Sequence, residues 1–126
     1  MLPKDRASLE AKGLTWEESL EAGFLCVVLK GYPVPGGLTP NRTDLLVRLP
    51  AGYPDAPPDM FWCDPALRLE RTNNYPQAAD VFETHIQRQW QRFSRHLAPT
   101  LWRPGADDLN SYLRLVDRAL RESIPA

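Results

Sequence analysis

Between residues 33 and 65 the chain is cut repeatedly by proline, and the pieces left uncut are short and largely apolar. Proline lacks a backbone N–H and has a fixed φ, so it neither continues a helix nor sits within a central strand. Such a stretch can form short strands joined by stiff loops, and little else. Most of the chain's thirteen prolines fall here, and the total is about twice the usual share. Just before it, residues 24–30 form a β-rich run without polar alternation. That suits a strand covered on both faces, or by a helix on one. Residues 44–49, ended by Pro50, make a second run, and residues 59–63 a third. Three successive strands with short connections predict an antiparallel meander.

Helices are expected around it. Residues 5–12 suit a short helix that Gly13 ends. Thr15-Trp16-Glu17-Glu18 has the capping-box pattern and predicts a second helix to about Glu21, stopped by Gly23. Trp16 and Leu20 would share its buried face. Asp64-Pro65 reads as a turn start and residues 71–76 as a loop. Ala78, Val81, Phe82 and His85 give residues 77–90 some helical spacing. Gly105-Ala-Asp-Asp108 supplies a turn and an N-cap for a final helix, along which Leu109, Tyr112, Leu113, Val116 and Leu120 line one face. Arg114, Arg118 and Arg121 suit its solvated side.

With 126 residues, 43% of them apolar, the chain reads as one globular domain spanning 1–126. A net charge of −1 with dispersed basic residues argues against a nucleic-acid partner. No apolar run approaches the ~20 residues of a membrane span. The first residues lack the apolar core of a signal peptide. Cys26 and Cys63 lie in strand-like runs and read as buried free thiols; with the two histidines they match no zinc spacing. A cytoplasmic protein with no metal and no cofactor is the expectation.

The residues with chemical potential crowd into 90–104, where two Trp, a Phe, a Ser, a His and three Arg sit beside Pro99 and Pro104. Two motifs frame this stretch. Leu49-Pro50 is followed by Tyr53-Pro54-Asp55-Ala56-Pro57-Pro58, and Trp102-Arg103-Pro104 directly precedes the last helix. Together with the order of elements, they resemble the ubiquitin-conjugating enzyme fold, with its Tyr-Pro-x-x-Pro-Pro turn and its Trp-Ser-Pro. The Phe-Ser-Arg-His run followed by Trp-Arg-Pro-Gly is most similar to a divergent bacterial branch of that superfamily. The resemblance covers roughly residues 5–122. It implies an α+β fold with an N-terminal helix, an antiparallel meander sheet, an irregular active-site segment and a C-terminal amphipathic helix.

It also implies partners: an adenylating activating enzyme docking in part on the first helix, a ubiquitin-like modifier, and a metallopeptidase of the same pathway. Family members place a catalytic Cys eight residues before the Trp. Here that position is Ser94, and the usual His-Pro-Asn motif is missing, with His85 close to its spacing. A serine could hold the modifier as an oxyester if a base removes its proton. His96 is the candidate base, since i and i+2 side chains share a face in extended chain. Arg95 or Arg92 could stabilise an oxyanion or steer an acidic partner. His85 and Trp102 would support the site.

Other readings stay open. Ser94 could cap backbone, and His96 could orient its own loop. Trp90, Phe93 and Trp102 suit packing, and Asp107 and Asp108 suit helix capping. A catalytically inactive adaptor that binds the modifier or the activating enzyme is the alternative function. A stand-alone Ser–His hydrolase is a third.

Overall fold

The computed structural model describes residues 1–96 and 101–126. Helix α1 spans Pro3–Ala11, with its proline in the first turn where no N–H is needed. Ten residues of β-rich chain form β2 (Phe24–Pro33), which pairs antiparallel with β4 (Arg42–Leu49). β4 pairs in turn with β5 (Phe61–Asp64). These are the expected meander strands. The final helix, α2, spans Leu109–Glu122 and starts at Asp108, whose carboxylate accepts from Ser111 N while Ser111 Oγ accepts from Asp108 N.

Two expected helices are strands. Residues Thr15–Glu21 form β1, paired with β2 through a two-residue turn at Ala22-Gly23. Both turn residues have positive φ, 52° and 84°, as a hairpin of this length requires. The Thr-x-x-Glu pattern is therefore not a cap here, and Leu20 stands 80% exposed on an edge strand. Within 77–90, Val81–His85 forms β7 and Arg88–Phe93 forms β8, an antiparallel hairpin turned at Ile86-Gln87, again with positive φ (49° and 62°). A cross-strand partner outweighed the weak helical spacing.

The six strands run in the order β1-β2-β4-β5-β8-β7, with every neighbour antiparallel. Leu38–Thr39 (β3) and Arg68–Leu69 (β6) form a separate small ladder. One sheet face carries Val27, Leu29, Leu45, Val47, Phe61, Cys63 and Phe93, which pack with Leu9 of α1 and with Leu109, Leu113, Val116 and Leu120 of α2. Gln91 on this face is fully buried; it accepts from Leu67 N and donates to the carbonyls of Leu67 and Ala79, stitching the irregular segment after β5 onto the sheet. The opposite face carries Cys26, Val28, Leu46, Trp62 and Trp90, with Met60 and Ile86 packed against them. Both cysteines are free and buried. No helix among the described residues is long and apolar enough to cross a membrane.

The candidate active-site segment

Residues 90–96 continue β8 and then leave the sheet. Phe93, the last strand residue, is buried and stacks on Phe61 with centroids 4.8 Å apart. Immediately after it the backbone tightens: Arg95 N donates to Phe93 O at 2.9 Å, closing a three-residue turn centred on Ser94. Ser94 N donates to Ala78 O (3.0 Å), and Met60 N donates to Arg95 O (3.2 Å). The turn is thus bonded on both sides, and Tyr112 of α2 holds Met60 through its carbonyl. Pro99, expected to break the segment, lies outside the described residues.

The side chains divide at that turn. Ser94 keeps the strand's alternation and shares a face with Arg92, whose Nε donates to Ser94 Oγ at 2.9 Å. Arg92 Nη1 donates to Glu83 Oε2 (2.9 Å), and Glu83 Oε1 accepts from Trp62 Nε1 (2.9 Å). Burial alone would raise the Glu83 carboxyl pKa. Hydrogen bonds from Trp62, His85 and Arg92 outweigh it and hold the group below its usual range.

His96, beyond the turn, pairs with Asp59: its Nδ1 lies 3.1 Å from both carboxylate oxygens. No hydrogen bond joins Ser94 to His96. The imidazole is 67% exposed, and Nε2 has no partner among the described residues. Arg95 Nη1 reaches Gln77 O at 3.4 Å. A cavity of about 280 Å³ opens beside His96 and Arg95, walled by Phe61, Leu101, Tyr112 and Arg118.

The remaining candidates lie further off. Trp102 is buried; its Nε1 donates to Pro54 O at 2.8 Å, and its ring sits 6.4 Å from Tyr53. It therefore pins the proline turn onto the chain entering α2. His85 pairs with Arg88 across the hairpin, six residues before Ser94 along β8. The backbones are therefore roughly 20 Å apart at about 3.3 Å per residue, and the His85 side chain reaches Ser94 only through Glu83 and Arg92. His85 Nδ1 and Nε2 face Glu21 (3.1 Å) and Glu83 (3.3 Å).

Asp59 has no counterpart in the sequence reading. It follows Pro57-Pro58, its partner is 37 residues away, and nothing local marks it. A carboxylate fixing one imidazole nitrogen and leaving the other open is the arrangement that makes histidine an oriented base. A family model described as Prokaryotic E2 family E matches residues 1–123. Comparison with curated proteins and with solved structures gave no match.

Proposed function

The chain belongs to prokaryotic E2 family E, and from that membership we propose that it carries the C-terminal acyl group of a ubiquitin-like modifier as an oxyester on Ser94. The family suggests a role in ubiquitin-like conjugation, and so in general a modifier and an activating enzyme as partners. One observation carries the serine: it stands eight residues before Trp102 in a bonded turn, with a carboxylate-held imidazole two residues on that lines a cavity.

In this reading Ser94 Oγ attacks the carbonyl carbon of the activated modifier. Its proton goes to His96 Nε2 by way of solvent, since the turn sets Ser94 Oγ on Arg92 and His96 on Asp59. The activating enzyme's leaving group departs with its bonding electrons. Asp59 keeps the imidazole in the right orientation and stabilises it once protonated. A metallopeptidase of the same pathway would trim or remove the modifier, and a reducing cytoplasm suits the two free thiols.

A second reading, an adaptor without acyl chemistry, is favoured by the same geometry seen differently: Ser94 Oγ is engaged by Arg92 and His96 by Asp59. Mixing the chain with modifier, activating enzyme and ATP separates the two. The ester predicts an adduct that survives reducing agent, is cleaved by strong base and disappears in Ser94→Ala. Absence of any adduct would leave the adaptor.

A further inference from the structure

An oxyester poses a difficulty in its second half. When an amine displaces the acyl group, the electrons of the breaking C–O bond go to Oγ, and an alkoxide leaves far less readily than a thiolate. A serine carrier therefore needs something at Oγ that a cysteine carrier does not. The structure has such a group in contact with that atom. Arg92 Nε–H points at Ser94 Oγ from 2.9 Å, while Nη1 of the same guanidinium is fixed by Glu83. Arg92 itself sits mid-sheet, opposite Val81 on β7 and Trp62 on β5, so the donor's aim is set by strand pairing.

We infer that Arg92 is a catalytic residue of the proposed transfer, its Nε–H stabilising the negative charge that develops on Ser94 Oγ as the acyl bond breaks. This rests on the reading of Ser94 as the acyl carrier. The step balances without another reactant. The amine nitrogen attacks the carbonyl carbon, and the C–Oγ electron pair goes to Oγ. The amine proton passes to His96 and, by way of solvent, on to Oγ. The products are an amide and a free serine hydroxyl. Arg92 stays protonated throughout and acts as a preorganised donor. The same contact lowers the cost of the alkoxide when Ser94 first attacks.

The Ser94→Cys chain measures the field at this atom without any partner, since the two native thiols are buried. The pH midpoint of its alkylation by iodoacetamide should rise by about one unit when Arg92→Gln is added. Arg92→Lys keeps a cation for Glu83 but loses the Nε donor, so it should fall between, and it serves if Arg92→Gln does not fold. Unchanged midpoints would overturn the inference, because a purely structural arginine would leave the chain folded or unfolded without moving them. With the modifier system present, Arg92→Gln should slow hydroxylamine discharge of the Ser94 ester on the order of tenfold. It should change discharge of the Ser94→Cys thioester little. Equal slowing of both would also overturn it. If the native chain forms no adduct, the ester reading fails, and the alkylation midpoint still decides what Arg92 does at this position.

Discussion

Asp5 has 1% of its surface exposed, in the first turn of α1, and its carboxylate has two hydrogen-bond donors among the described residues. Tyr53 OH donates to one carboxylate oxygen at 2.7 Å, and Leu109 N donates to the other at 3.3 Å. One side chain thereby joins α1, the proline turn that holds Trp102, and the start of α2. Removing it would bare two buried donors, each costing about 1–3 kcal/mol. Asp5→Ala should therefore lower Tm by roughly 10 °C, at about 4 °C per kcal/mol for a chain of this size. Tyr53→Phe should cost clearly less. Equal or negligible losses in thermal unfolding would show that the carboxylate is not the tie. Period-two alternation pairs residue 94 with 92 and with 96 alike, and only the backbone turn at Ser94 decides between them. That turn carries no glycine, proline or asparagine, so the sequence had no mark for it.

Elements were legible where the periodicity belongs to the element itself. Strand β2 opens on an unbroken apolar run, β4 holds Leu45-Leu46-Val47 and is ended by Pro50, and α2 has its own apolar stripe and an acidic cap, so all three could be read without neighbours. The two hairpins were not, because their evidence is distributed between partners. Ile86-Gln87 reverses the chain with positive φ at a β-branched residue, a conformation that sequence rules assign to Asn or Gly. Ile86 is tolerated because its side chain packs on the Trp62 and Trp90 cluster. Ala22, at φ 52°, has no such compensation, being exposed. A left-handed conformation costs a non-glycine residue about 1–2 kcal/mol, less for Asn. Ala22→Asn should accordingly stabilise the chain by about 1 kcal/mol. The gain would be read as a higher denaturant midpoint at unchanged slope. A lower midpoint would mean that the turn is not of the type assigned.

Strands β1 and β7 are the opposite edges of the six-stranded sheet. Laid flat they would lie about 24 Å apart, at about 4.8 Å per step. Yet Glu21, the last residue of β1, accepts a hydrogen bond from Ile86 N at 2.6 Å and faces His85 Nδ1 at 3.1 Å. The sheet therefore curls until one corner of β1 meets the β7–β8 turn, and Ile86 closes over the second apolar cluster. No local pattern in the sequence announces a contact between residues 65 positions apart. The Ile86 N–H, then His85, hold the Glu21 carboxyl below its ordinary value of 4.5. A folded-state pKa below the unfolded one means that this tie is complete above about pH 4.5 and is lost as pH falls through the lowered value. The Ile86 amide proton reports on it directly. Its chemical shift should titrate with a midpoint below 4.5, and that titration should vanish in Glu21→Ala. In that variant the Ile86 amide should also exchange faster at neutral pH, because the corner has lost its acceptor while the strand pairing on either side is intact. A midpoint at or above 4.5, or a titration that survives Glu21→Ala, would mean that the edges are held together by the apolar cluster alone.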